Sequence, residues 1–110
     1  MSYTADYAET EPTRAEIDAL SGPVVIEFGA PWCPHCMDRQ SPLAALFDRY
    51  PDVHHIKICD GKGQALGRSF RVKLWPTLVF MRAGEVLHRA VRPDEAEIAE
   101  GFSRIAAAPK

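Results

Sequence analysis

Cysteine is scarce in this chain, with only three in 110 residues, and that scarcity excludes a fold held together by a disulfide framework. A second Cys-x-x-Cys is also missing. A structural zinc site needs four ligands, usually as two such pairs, so a zinc site is not expected and no metal is assigned. Long apolar runs are absent, and no segment approaches the roughly 20 apolar residues of a membrane span. The first 20 residues lack the basic start and the apolar stretch of about 7–15 residues that a secretory signal needs. They carry Asp6, Glu9, Glu11, Glu16 and Asp18 instead, so a cytoplasmic protein is expected. An excess of one charge is lacking too. The formal net charge is −2, which offers no electrostatic reason to expect nucleic acid or an anionic membrane as partner.

What remains is the composition of one soluble globular domain, with 46% hydrophobic and 25% charged residues and a length that holds one core but not two. Residues 1–11 are polar and aperiodic and read as a flexible N-terminal arm, which leaves 12–110 as the domain. Thr13-Arg14-Ala15-Glu16 has the form of a capping box ahead of Ile17 and Leu20, which predicts a short helix ended by Ser21-Gly22-Pro23. Val24–Phe28 is a nearly all-apolar, β-branched run bounded by Pro23 and Gly29, the pattern of a strand buried on both faces. From Cys36 onward, Leu43, Leu46, Phe47 and Tyr50 form a helical stripe, and Pro42 should kink that helix. Val53–Cys59 reads as a further strand, an edge strand near the N-terminus is allowed for, and Gln64–Phe70 reads as a short helix weakened by Gly67. Leu78–Met81 and Val86–Val91 flank a turn at Arg82-Ala83-Gly84-Glu85, a hairpin pattern. Pro93-Asp94-Glu95 opens a last helix with Ile98, Phe102 and Ile105 on one face. A strand–helix–strand crossover followed by a hairpin predicts an α/β domain, with a central mixed β-sheet flanked by helices on both faces.

Cys33-Pro34-His35-Cys36 falls where the first strong strand gives way to a helix, the end of an open α/β sheet at which sites are usually built. By itself the spacing suggests either redox chemistry or half a metal site. The residues around it narrow that choice. Phe28-Gly29-Ala30-Pro31-Trp32 precedes the pair, Lys57 and Trp75-Pro76-Thr77 follow, and Gly84-Glu85-Val86 lies in the hairpin. From about Val24 to the C-terminus the sequence resembles the thioredoxin family, as a thioredoxin-like protein with a Cys-Pro-His-Cys active site. The resemblance implies the thioredoxin fold, thiol–disulfide exchange with protein substrates, and no bound cofactor.

The chemistry requires a thiolate, and an ordinary cysteine, with a pKa of about 8.5, is mostly protonated at neutral pH. Cys33 at a helix start meets unpaired backbone N–H groups that favour an anion, which makes it the expected nucleophile and Cys36 the resolving thiol. Pro34 and His35 are the expected tuning residues. They match the Pro-His of periplasmic proteins that introduce disulfides, and an imidazole beside the thiolate makes the pair more oxidising. Glu27 stands where the family has its buried Asp, and Lys57 matches the lysine that neighbours that acid. The resemblance implies proton transfer at Cys36, with Glu27 as base and Lys57 tuning it; a purely structural buried ion pair is the competing reading. Pro76 matches the family's cis-proline. Trp32, Trp75, Pro76 and Thr77 are the expected substrate-binding residues, with the Trp75 backbone ready to pair with an extended segment. Cys59 reads as a small buried hydrophobe, and His54, His55 and His88 as strand residues without a ligand role.

Three departures from the family stand out. Gly29 replaces a bulky aromatic, Arg92-Pro93 replaces the glycine that opens the substrate groove, and Pro42 falls one residue later than the family's kink proline. The expected function is reduction of protein disulfides by a monomer that thioredoxin reductase or glutathione re-reduces. The alternatives are a more oxidising disulfide oxidase or isomerase, and a non-catalytic thioredoxin-fold binding module.

Overall fold

A computed structural model describes residues 3–61 and 64–106; the outermost ends of both expected segments, 1–2 and 107–110, lie outside the described residues. The elements run α1 (Arg14–Asp18), β1 (Pro23–Gly29), α2 (Pro34–Asp38), α3 (Gln40–Arg49), β2 (His54–Cys59), α4 (Ala65–Ser69), β3 (Thr77–Arg82), β4 (Glu85–Val91) and α5 (Glu95–Ala106). The strands form one mixed sheet in the order β2-β1-β3-β4. β1 pairs parallel to β2 and antiparallel to β3, and β3 pairs antiparallel to β4. No helix among the described residues is long and apolar enough to cross a membrane.

β1 is apolar along its length because both faces of the sheet are covered. On one face Val25 packs with Leu43 and Phe47 of α3 and with Ile98, Phe102 and Ile105 of α5. On the other, Val24, Ile26 and Phe28 pack with Ile17 of α1 and with Leu66 and Phe70 at α4. Glu27 is the exception in the run, on the α3 side and fully buried. Its position sets the polar chemistry described below.

Local signals decide the ends of the elements. The capping box at α1 forms on both sides: the Glu16 N–H donates to Thr13 Oγ1 at 3.1 Å, and the Thr13 N–H to Glu16 Oε1 at 2.9 Å. A second reciprocal pair, Asp94 and Glu97, opens α5, so Asp94 rather than Pro93 is the cap and Pro93 stays outside the helix. The hairpin turns on Ala83 and Gly84, with φ of 52° and 80°; two left-handed residues in succession match the twist of the flanking strands. A Cβ at Gly84 would also lie 2.7 Å from the Asp18 carbonyl oxygen.

The kink expected at Pro42 is a break at Arg39, between α2 and α3. The cause is proline chemistry acting one turn upstream. Pro42 has no N–H to offer the carbonyl of Asp38, and its ring crowds that group. The N-terminal edge strand does not form among the described residues. In the segment before α1, Ala8 and Tyr3 make contacts with β2 and α3. The Ala8 N–H donates to the Lys57 carbonyl at 2.8 Å, and Tyr3 packs against Phe47 and His55.

Gly101 sits inside α5, where glycine costs a helix about 1 kcal/mol relative to alanine. The Phe80 ring explains it, because a Cβ there would come within 2.4 Å of the ring. Gly101→Ala is therefore expected to lower stability by about 1–3 kcal/mol through overpacking, despite its better helix propensity. Urea unfolding with an unchanged m-value checks it.

Candidate active site

β1 ends at Gly29, and the chain passes through Ala30, Pro31 and Trp32 to Cys33, the N-cap of α2. The cap geometry (φ −85°, ψ 115°) turns the Cys33 sulfur back over the helix start, where it accepts the Cys36 backbone N–H at 3.2 Å. Pro34 at the first helical position has no N–H to leave unpaired. Cys33 is 7% and Cys36 1% exposed. The attacking position is thus just reachable from solvent, while Cys36 lies beneath it. Burial comes first, then the hydrogen bond and charge of Cys33, in pushing the Cys36 thiol up to about 12; Glu27 adds in the same direction. Burial thus favours the thiol form of Cys36.

Gly29 makes room for this arrangement. A Cβ there would lie 2.6 Å from Cys36 Sγ, so the buried sulfur fills space that a side chain would need.

Beneath the dithiol, Glu27 has two donors. His55 Nε2 lies 2.8 Å from Oε1, with both side chains fully buried. The Thr4 backbone N–H donates to His55 Nδ1 at 2.9 Å, so the ring proton sits on Nε2 and points at the carboxylate. Gln40 Nε2 donates to Glu27 Oε2 at 2.8 Å and also to the Cys36 carbonyl at 2.8 Å. Lys57 pairs with Glu27 in the strand register, but its ammonium donates to Gln40 Oε1 at 2.9 Å and to the Ala5 carbonyl at 3.1 Å. The expected acid–lysine contact is therefore relayed through Gln40, and His55 takes the direct place. Tyr3 closes the network by donating to Gln40 Oε1 at 2.5 Å. Burial, then the Glu27 charge, raises the Tyr3 phenol. Tyr7, over which Lys57 sits at 4.8 Å, is raised far above the usual tyrosine range, first by burial and then by Cys36 and Glu27.

Trp32 is 68% exposed and meets Trp75 edge-on, with ring centroids 6.4 Å apart. Trp75 is held from below by its indole N–H to Asp60 Oδ2 at 2.9 Å, and it packs against Ala30, Cys33 and Cys36. The Trp75–Pro76 peptide is cis. Thr77 is completely buried and donates its hydroxyl to the Leu74 carbonyl at 2.6 Å. It braces the loop and offers no surface to a substrate. His35 is exposed on α2, and Cys59 is a half-buried free thiol at the end of β2.

Sequence reasoning passed over His55, Gln40 and Asp60. His55 had a signal, being a histidine two positions before Lys57 on the same strand face as Glu27; the other two had none.

A two-cysteine site at the end of a central strand, one sulfur just reachable from solvent and its partner buried beneath, on a mixed sheet with helices on both faces, defines a thiol–disulfide oxidoreductase. Residues 7–104 match the family model described as Thioredoxin, and the chain belongs to that family. It is 35% identical over 77 residues to Thioredoxin H5 of Arabidopsis thaliana, covering 70% of this chain and 65% of that protein. It is 30% identical over 91 residues to Thioredoxin Asp f 28 of Aspergillus fumigatus, covering 83% and 84%. The structure of thioredoxin 2 from Pseudomonas aeruginosa PAO1 in its reduced form superposes with a TM-score of 0.83 at 45% identity, covering 96% of this chain and 98% of that one.

The difference between the two sulfurs has a direct chemical readout. Burial and the neighbouring Cys33 hold the Cys36 thiol well above the ordinary cysteine range, which disfavours its thiolate at pH 7. Brief alkylation of the reduced protein at pH 7 is expected to label Cys33 and spare Cys36, as read by peptide mass spectrometry. The same shift makes the reduced fold pH-sensitive. The folded value lies above that of an ordinary cysteine, so this contribution to stability is complete below the ordinary value of about 8.5 and is lost as pH rises towards the folded one.

Proposed function

We propose that this protein reduces disulfides in extended segments of other proteins, with Cys33 as nucleophile and Cys36 as resolving thiol. The observation that carries the reading is the asymmetry of the pair: Cys33 at the N-cap, 7% exposed and accepting the Cys36 N–H, and Cys36 beneath it at 1% exposed, where burial raises its thiol. In the first step the Cys33 thiolate attacks one substrate sulfur. The substrate S–S bond breaks, a mixed disulfide forms, and the departing thiolate takes up a proton. In the second step Cys36 gives up its proton, with the Glu27 carboxylate as the acceptor, and attacks Cys33 Sγ. The substrate leaves as a dithiol and the protein as a disulfide, two electrons having passed between them. Trp32 and Trp75 form the docking surface beside Cys33, with the buried Pro76 next to them, and the Trp75 backbone is the edge on which an extended segment pairs.

Re-reduction comes from thioredoxin reductase or from glutathione, and the protein acts as a cytoplasmic monomer. Pro34 and His35 tune the potential to the oxidising side of thioredoxin. Titration of the Cys33–Cys36 pair against a glutathione buffer tests this. The expected value lies between about −270 mV, known for thioredoxin, and about −200 mV. A value well above about −200 mV turns the reading to an oxidase or isomerase. Failure to form an intramolecular disulfide at any poise leaves only a binding module.

A further inference from the structure

We propose that Arg92 is a specificity-determining residue: its guanidinium caps the Trp75 carbonyl and handicaps extended protein segments, but not small disulfides, in reaching the dithiol. The inference rests on the reading above that protein substrates pair along the Trp75 backbone.

β4 ends at Val91, and the chain leaves it through Arg92 in the left-handed region, with φ of 46°. Glycine adopts that conformation without steric cost, whereas a side chain there is opposed by its own Cβ. The Arg92 N–H donates to the Pro76 carbonyl at 2.8 Å, and its side-chain Nε donates to the Trp75 carbonyl at 2.8 Å. The following turn is clamped from α2–α3: Arg39 Nε donates to the Pro93 carbonyl at 2.6 Å, and its Nη2 reaches the Arg92 carbonyl at 3.4 Å. Pro93 is buried while Arg92 is exposed. The backbone is thus held in place, and the guanidinium lies across the edge of the cis-Trp75–Pro76 segment, on the residue that packs against Cys33.

A segment that adds itself to a strand edge gains its affinity from main-chain hydrogen bonds. Here the Trp75 carbonyl is already engaged, so an incoming peptide N–H has to displace the guanidinium or share the carbonyl with it. A small aromatic disulfide needs only access to Cys33 and makes no strand pairing. Arg92 therefore acts on one substrate class and not on the other.

The test compares kcat/KM of the wild-type chain, Arg92→Gly and Arg92→Ala for insulin and for a small aromatic disulfide. Removal of the cap is expected to raise kcat/KM for insulin by about two- to tenfold, the equivalent of one net hydrogen bond, chiefly through KM. The small disulfide should stay within about twofold. Arg92→Ala keeps the Cβ and its backbone constraint, so a gain confined to Arg92→Gly would assign the effect to chain flexibility and overturn the proposal. A fall in the insulin rate would make Arg92 a substrate contact, and parallel changes on both disulfides, or none, would remove it from specificity; each overturns the proposal. A wild-type chain inert toward the small disulfide as well as insulin overturns the reductase reading itself, and the gate with it.

Discussion

Serine in place of Cys33 is expected to reduce insulin-reducing activity to background while leaving the fold intact. The hydroxyl has the size and hydrogen-bonding capacity to stay at the N-cap and accept the Cys36 N–H, since serine is itself a favoured cap. It cannot form the mixed disulfide. Cys36 does not substitute for it, because it is 1% exposed and its thiol is pushed up to about 12. Cys36→Ser gives the complementary result: the first step proceeds, the second has no nucleophile, and the mixed disulfide with substrate accumulates. Non-reducing gels and intact mass measurement distinguish the two variants. Equal residual activity in both would show that the sulfurs are interchangeable, which the geometry denies.

The second large effect lies beneath the dithiol. Glu27→Ala would leave the fully buried His55 Nε2–H without its acceptor and take from the Gln40 amide one of its two, the Cys36 carbonyl remaining. Leaving a buried donor unsatisfied in this way costs about 1–3 kcal/mol, and urea unfolding should show a loss of that size. Glu27→Gln keeps the shape and removes the proton acceptor. It is expected to leave the first step nearly unchanged and to slow resolution of the mixed disulfide by about a hundredfold, the lower range for loss of a general base. Stopped-flow measurement of the two steps separates these effects. If Glu27→Gln slows neither step, Glu27 serves the fold alone, and the competing structural reading of this acid is the right one.

These expectations draw on information of different range along the chain. The dithiol and its orientation were legible because they depend on four consecutive residues at a strand end and on the helix they open. β1, the capping box at Thr13 and the Ala83-Gly84 turn were legible for the same reason: burial on both faces, a reciprocal side-chain cap and left-handed φ values are local demands. The partner of Glu27 was not. The sequence presented an acid and a lysine aligned across two strands, and electrostatics alone would join them. The structure gives the contact to His55, whose ring is oriented by a backbone N–H at Thr4, 51 residues away, and sends Lys57 to Gln40 and Ala5. Thr77 was misplaced in the same way. It lies two residues after the half-buried Trp75, yet the strand it begins runs straight into the core.

The sequence by itself determined the class of fold and the Cys-x-x-Cys pair at the end of a strand, because hydrophobic period, capping chemistry and the two-residue spacing act over a few positions. Tertiary structure decided how the buried carboxylate is satisfied, that residues 3–11 help to close the site, and that Arg92 lies over the Trp75 carbonyl. Those outcomes depend on which donors reach a given acceptor once water is excluded. Donors from β2, α3 and the N-terminal segment compete for the same few oxygens, and only their packed positions settle the competition.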